Sequence, residues 1–291
     1  MHTLLPKFEY YSPRTLEEAL EFLEKVKSSY RVLAGGTDLL LEMKHKLRYP
    51  ANTIVDISKL NELRYVKEKD GFIAIGSLTR IEDLKNSEII RKRLPILAEI
   101  AAEFGTWQIR NMATIGGNVC NGSSSADYSL ALLILDAELH ILSLKGERRV
   151  KSELFINDGN EAIKPGELLI EITIPKLQSK AGASFLKYEG RRVSSIPILN
   201  VACMLELEDT FIKDVRIALG GVEQLPRRLK PVEEKLKELD VRDIDKVDRV
   251  LQTIPSLINP RSGVVASAEY RRAMSYVFVK RALLQALERC S

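Results

Sequence analysis

Thiol and imidazole groups are scarce in this sequence of 291 residues, which holds three cysteines and three histidines. Cys120, Cys203 and Cys290 lie far apart without C-x-x-C spacing, which excludes a disulfide framework and a thiolate zinc or iron–sulfur site. His2, His45 and His140 are equally scattered, so no metal site is expected on this chain. Neither sign of charge prevails. The 44 basic and 40 acidic residues leave a formal charge of +4 spread along the chain, which gives no electrostatic footprint for nucleic acid. No apolar run reaches the length of a membrane span. The first residues, MHTLLPKFEYYSPRTLEEAL, lack the basic, apolar and small-residue order of a secretory leader, and a cytoplasmic protein is expected. The G-x-G-x-x-G and G-x-x-x-x-G-K-[ST] phosphate motifs and the G-x-S-x-G elbow are also missing. With no triad and no evident acid–base pair, any chemistry belongs to a bound cofactor.

Small residues are instead concentrated in two places. Residues 31–44, RVLAGGTDLLLEMK, pass from a short β-type run through Gly35 and Gly36 to Thr37 and Asp38, which open a helix-like stretch. Residues 110–139, RNMATIGGNVCNGSSSADYSLALLILDAEL, repeat that order with Gly116, Gly117 and Asn118, then three serines ahead of an apolar run. Either one alone reads as a surface turn. Together they suggest a ligand site. Glycine lets backbone approach a ligand without a Cβ in the way, and successive N–H groups form an anion-binding concavity. A helix opening at such a loop adds a modest preference for negative charge. Two separated cradles suit a pyrophosphate.

The chain is long enough for two domains. Thr15 and Glu18 have capping-box spacing, and Leu16, Ala19, Leu20, Leu23 and Val26 recur at helical intervals, which predicts a helix over 15–27. Strands are expected at 31–34 and 53–57, completing a βαβ-type unit. A hairpin follows over 63–76 around KEKDG, then a second capping box at Thr79 and Glu82. A helix is expected over 91–104, a helix beginning YSLALLIL, and strands at 139–144 and 168–174. Residues 176–184, KLQSKAGAS, are small and polar and mark a domain boundary. Beyond them come two strands joined by a tight turn, then charged amphipathic helices from about 230, the last over 267–289.

Taken together, LAGGTDLL, QIRNMATIGGN followed by SAD, GELLIEITIP, FLKYEGRR, LGGVEQLPRR and ASAEYRRAM resemble the FAD-binding medium subunits of the molybdenum hydroxylases. That family includes aerobic carbon monoxide dehydrogenase, aldehyde oxidoreductase and xanthine dehydrogenase. The match runs nearly the whole chain. It implies an α+β fold: a two-subdomain FAD-binding domain of the PCMH (vanillyl-alcohol-oxidase-like) type over 1–176, with subdomains of about 1–57 and 58–176. A C-terminal domain of antiparallel sheet and helices, of the carbon monoxide dehydrogenase flavoprotein type, would follow over 177–291.

The resemblance also implies which residues touch FAD. In the first segment these are Leu33, Ala34, Gly35, Gly36, Thr37, Asp38 and Leu39; in the second, Thr114, Gly116, Gly117 and Asn118. Asp127 falls at the family's acidic position and equally suits an N-cap. Leu169, Lys187 and Phe104 match flavin-proximal positions, although as residue types they are as well explained by core or strand roles. Gln108, Arg110 and Asn111 are expected as loop supports or partner contacts. No catalytic residue and no metal ligand is implied here. The family places molybdopterin on a large subunit and [2Fe–2S] clusters on a small one, in a heterotrimer or its dimer.

Two local departures stand out. Val193, Ser194, Ser195 and Ile196 replace an acidic and small-residue pattern after GRR, and the serine stretch NGSSSAD lacks a proline that relatives often carry. Three isolated cysteines argue against the cluster that the benzoyl-CoA reductase branch adds to this subunit. The leading reading is an electron-transfer flavoprotein subunit. A stand-alone flavin oxidase or dehydrogenase of the vanillyl-alcohol type and an assembly subunit that has lost its flavin are the competing ones. The substrate of the whole enzyme (carbon monoxide, an aldehyde, a purine or another heterocycle) and the final electron acceptor are not written in this chain.

Overall fold

Capping by Thr15 starts the first helix of the chain, as its spacing predicts. The computed structural model describes residues 5–27, 30–45, 52–177, 180–190 and 197–290. The departure at 193–196, His2, and residues 178 and 179 of the expected domain boundary lie outside them. Strand β1 (Glu9–Tyr11) leads into helix α1 (Leu16–Val26), which buries Ala19, Leu20 and Leu23. The Thr15 hydroxyl accepts the Glu18 N–H at 3.1 Å. The box is not closed, because the Glu18 carboxylate instead accepts the Arg14 N–H at 2.8 Å and the Tyr11 hydroxyl at 2.6 Å. Strand β2 (Tyr30–Leu33), helix α2 (Leu39–His45) and strand β3 (Thr53–Asp56) follow. The three strands form a parallel sheet in the order β1-β3-β2. Its central strand is buried at every position, as parallel strands covered on both faces are.

The next unit is an antiparallel sheet with helices on it. Strands β4 (Val66–Lys69) and β5 (Phe72–Gly76) pair through a turn at Asp70 and Gly71, so Lys67, Glu68 and Lys69 belong to the strand and not to the connection. Gly71 has φ +81°, which a two-residue hairpin turn needs. Helix α3 (Ile81–Asn86) is capped one residue later than the Thr79 and Glu82 spacing predicts: Asp83 accepts the Arg80 N–H at 3.2 Å. Thr79 is unavailable because its hydroxyl bridges the N–H and carbonyl of Tyr65, at 3.2 and 2.8 Å. The single helix expected over 91–104 is two, α4 (Glu88–Arg93) and α5 (Pro95–Glu103). Pro95 disfavours the helical conformation of the residue before it, and Leu94 sits at φ −140°, ψ 58°.

Helices α6 (Trp107–Met112), α7 (Ile115–Cys120) and α8 (Asp127–Ile134) come next. Strand β6 (Glu138–Ser143), strand β7 (Gly146–Lys151), helix α9 (Ser152–Asp158) and strand β8 (Leu168–Pro175) complete the unit. The order is β4-β5-β8-β6-β7. Strand β7 carries mostly charged residues along an edge, so no apolar alternation announced it.

Strands β9 (Ala181–Tyr188), β10 (Leu199–Glu208), β11 (Phe211–Gly220) and β12 (Arg227–Arg228) form the third sheet, antiparallel in the order β12-β11-β10-β9. The helices α10 (Lys230–Leu236), α11 (Ile244–Leu251), α12 (Ile254–Leu257) and α13 (Ala268–Glu288) follow. Strand β10 is apolar on both faces. Leu199, Val201, Cys203 and Leu205 pack into the core beneath α13, whereas Ala202 and Met204 join the core that contains α8. Helix α8 is apolar nearly all round, and every one of its residues is buried, which is the behaviour of a helix with core on all sides. It packs against α5, α9, β10 and β11 and so joins the second unit to the third. Among the described residues no helix is long and apolar enough to cross a membrane.

Candidate cofactor site

The first glycine segment turns sharply out of β2. Gly36 has φ +70°, a left-handed conformation in which a side chain is strained. Gly35 is glycine for another reason: a Cβ there would run into the Met112 carbonyl oxygen and lie 3.0 Å from Ala113 Cα. The segment is thus pressed against the chain that leads into α7. Among the described residues, the N–H groups of Gly35, Gly36 and Thr37 meet no acceptor.

The second glycine pair is not a loop. Gly116, Gly117 and Asn118 lie in the first turn of α7, capped by Thr114, whose hydroxyl accepts the Gly117 N–H at 3.1 Å. The Ile115 N–H donates to Thr79, the Gly116 N–H to Ser77 and the Asn118 N–H to Thr114, at 3.0, 2.9 and 3.0 Å. This segment therefore offers no row of unpaired donors, and its helix is a turn and a half long, too short for much of a dipole. Gly116 is needed because Ser77 O would stand 2.6 Å from a Cβ. Gly117 differs. Its Cβ would meet only the Thr114 hydroxyl at 2.9 Å and Ala34 Cβ at 3.9 Å. The open space beyond it belongs to a cavity.

That cavity has a volume of about 420 Å³, within the range of small-molecule sites. Ala34, Gly35, Gly36, Thr37, Asp38 and Leu39 line it from the first segment. Thr114, Gly116, Gly117 and Asn118 line it from the second, and Phe104 and Leu169 complete the wall. An Asn121 amide donates to Asp38 at 3.3 Å and ties the two segments together. Phe104 caps α5 and lies against Tyr128 with ring centroids 6.1 Å apart. Arg110 holds this turn from below. Its guanidinium donates to Glu82 at 2.6 Å and to the carbonyls of Phe104 and Gly105 at 3.2 and 3.3 Å, which is loop support, one of the two roles expected for it.

Leu33, Asp127 and Lys187 do not line the cavity. Leu33 packs beside Gly36. Asp127 is buried behind the second segment, where Oδ1 accepts the Asn200 amide at 2.7 Å and Oδ2 accepts Lys187 Nζ at 3.0 Å. Lys187 and Asn200 are register partners on β9 and β10, so both side chains leave the sheet toward α8. Burial works against the Lys187 ammonium, but the carboxylates of Asp127 and of Glu189, 3.2 Å away, outweigh it and hold its pKa above the ordinary value. Asn200 also reaches the Ser125 carbonyl at 3.2 Å, and the Gly221 N–H reaches Ser124 at 2.7 Å. The serine stretch is thereby fastened to the third sheet.

Several lining residues were not foreseen. Tyr30, Ser77, Asn121, Ile163, Lys164, Pro165, Glu167 and Leu168 all face the cavity, as does Cys120. Of these only Pro165, followed by Gly166, carried a local signal, that of a turn. Cys120 counts as exposed because it opens onto the cavity, yet desolvation by the surrounding protein pushes its thiol up to about 12. It is a protonated, weak nucleophile.

Two family models cover most of the chain. One, the FAD binding domain in molybdopterin dehydrogenase, matches residues 6–177; the other, the CO dehydrogenase flavoprotein C-terminal domain, matches residues 184–286. The chain belongs to the FAD-binding family of the molybdopterin dehydrogenases. It is 33% identical to the glyceraldehyde dehydrogenase medium chain of Sulfolobus acidocaldarius, over 95% of this chain and 97% of that one. It is 31% identical to the xanthine dehydrogenase FAD-binding subunit of Escherichia coli O157:H7, over 96% and 95%. A solved structure of carbon monoxide dehydrogenase from Hydrogenophaga pseudoflava that lacks the Mo-pyranopterin moiety is similar along 99% of this chain and 100% of its own. The TM-score is 0.94 at 28% identity. The relatives are medium chains and FAD-binding subunits of multi-subunit dehydrogenases.

The buried Asp127 and Lys187 pair gives a stability prediction. Lys187→Met leaves Asp127 buried without its cation and is expected to cost about 3–5 kcal/mol of unfolding free energy in urea. Adding Asp127→Asn to that variant should restore much of the loss. A single-variant cost below about 1 kcal/mol would show that water, and not Lys187, balances this carboxylate.

Proposed function

We propose that this chain is the FAD-carrying electron-transfer subunit of a molybdenum hydroxylase. Its partners are a molybdopterin-binding large subunit and a small [2Fe–2S] subunit, in a heterotrimer or its dimer. Electrons pass from the partner's clusters to an external acceptor. The observation that carries the reading is the pairing of three unclaimed backbone donors with an open glycine surface across one cavity. Gly35, Gly36 and Thr37 supply N–H groups for a diphosphate, Gly117 leaves room for it, and Thr114 and Asn118 add a hydroxyl and an amide. Bound FAD supplies reversible redox chemistry that no side chain of this site offers. The two glycine segments would hold the cofactor, and Phe104 and Leu169 would give it an apolar wall.

Residues 1–176 serve as the FAD-binding domain, in subdomains of about 1–57 and 58–176, and residues 177–291 as a C-terminal domain. The third sheet has a direct part in the site: Asn200, Lys187 and Asp127 hold the serine stretch and the start of α8 in place behind the cofactor. Attachment is non-covalent: no histidine and a single cysteine, Cys120, line the cavity among the described residues, and burial holds that thiol in its protonated form.

Gly117→Val should yield a folded chain that loses flavin on gel filtration, because the added methyl groups occupy the open surface and disturb the Thr114 cap. Circular dichroism should be unchanged. Stoichiometric FAD on this variant would make the α7 turn purely structural.

The electron-relay role has its own test. The isolated chain with FAD, mixed anaerobically with aldehydes, purines or carbon monoxide, should keep an oxidised flavin spectrum. The reconstituted three-subunit complex with its correct substrate should lose the flavin band, and omission of the iron–sulfur subunit should prevent that. Reduction of the isolated chain at the rate of turnover would instead identify a stand-alone flavin enzyme.

A further inference from the structure

Strand β8 begins on the cavity wall, between the cores to which Phe104 and Tyr30 belong. Leu168 and Leu169 are its first residues and face opposite ways: Leu169 joins the core that contains Ala113 and packs on Phe104, whereas Leu168 joins the core with Tyr30, Val32 and Ala34. Tyr30 stands four residues up β2 from Ala34, about 13 Å at the rise of a strand. A dinucleotide gripped at its diphosphate beside Gly35 would have one half toward Phe104 and Leu169 and the other toward Tyr30.

The Tyr30 end is closed by the segment 163–168, which crosses from the end of α9 to β8 with Ile163, Lys164, Pro165, Glu167 and Leu168 on the cavity wall. Its tip is a tight turn. Pro165 and Gly166 occupy the central positions, Gly166 has φ +84°, and the Glu167 N–H donates to the Lys164 carbonyl at 3.0 Å. Pins hold the segment from both sides. On one side Arg148 of β7 grips Glu167 through two bonds of 2.8 and 2.7 Å and donates to the Ala162 carbonyl at 2.7 Å. Glu167 also accepts the Lys164 N–H at 2.8 Å. On the other side the Tyr30 hydroxyl accepts the Gly166 N–H at 2.8 Å, joining the parallel sheet to the segment.

We infer that residues 163–168 form a latch over the adenosine half of the dinucleotide, with Tyr30 and Arg148 as its positioning residues. The inference rests on the proposed FAD site and adds to it. The diphosphate donors fix where the cofactor sits, and the latch sets how tightly its adenosine end is retained. Neither pin reaches the Phe104 end, so loosening either one affects ligands according to whether they carry adenosine. The geometry divides the work between two chain segments that are more than a hundred residues apart.

Titration of the apo chain with FAD and with FMN tests this, because FMN lacks the adenosine half. Tyr30→Phe removes one hydroxyl and should weaken FAD about fivefold, the worth of one hydrogen bond, with FMN unchanged. Arg148→Met, which releases Glu167, should weaken FAD further and again spare FMN. Thermal unfolding of each apo variant reports any general damage. Equal weakening of both flavins, or undiminished FAD affinity in both variants, would overturn the latch. A wild-type chain that binds neither flavin would instead overturn the cofactor site on which the latch rests.

Discussion

Backbone-to-backbone contact at two glycines creates the site. Gly35 lies against the Met112 carbonyl, so a Cβ there would force the two segments apart, and Gly116 lies against Ser77 O, so a Cβ there would push α7 off the end of β5. This approach brings the end of β2 to the start of α7, although some eighty residues lie between them. Once they meet, Gly35, Gly36 and Thr37, whose N–H groups have no acceptor among the described residues, line one cavity with the bare Gly117. The usual expectation is that glycine serves the ligand directly. Here two of the four serve the protein's own packing, and Gly36 serves a left-handed turn. Only Gly117 keeps space open.

The third sheet secures this arrangement from behind. Because β10 alternates between two cores, Asn200 faces the same side as Ala202 and Met204, where Asp127 and the serine stretch lie. Lys187, its register partner, completes the clamp. A buried charge left unpaired is costly, so the pair ties the placement of α8 to that of the sheet. The C-terminal unit is in this way part of the cofactor site without lining it.

Much of this architecture was legible in the sequence, and the failures are informative. Thr15, the apolar stripe of α1 and the two long strands β10 and β11 obeyed local rules, so they could be read locally. The split at Pro95 was also legible in principle, since proline restricts the residue before it. The charged edge strand β7 was not, because its stability comes from pairing with β6 and not from an apolar face. Of the residues named for FAD, those in the two glycine segments other than Leu33 converge with Phe104 and Leu169 on one cavity, whereas Leu33, Asp127 and Lys187 stand outside it. That convergence depends on the family's motif spacing, whereas the partners of the first α7 N–H groups are the carbonyls of Ser77 and Thr79, which lie far earlier in the chain. Tyr30 and Arg148 were invisible for the same reason: their partner, the turn at Gly166, is brought near by folding alone.

The central claim is that Gly35, Gly36 and Thr37 present their N–H groups to a diphosphate while the N–H groups of α7 are already committed. Amide hydrogen exchange at single-residue resolution, with and without FAD, tests it most directly. The account predicts strong new protection at Gly35, Gly36 and Thr37 on FAD binding, with Gly116, Gly117 and Asn118 already protected in the apo chain. Protection appearing at α7 while the first segment exchanges freely would contradict it.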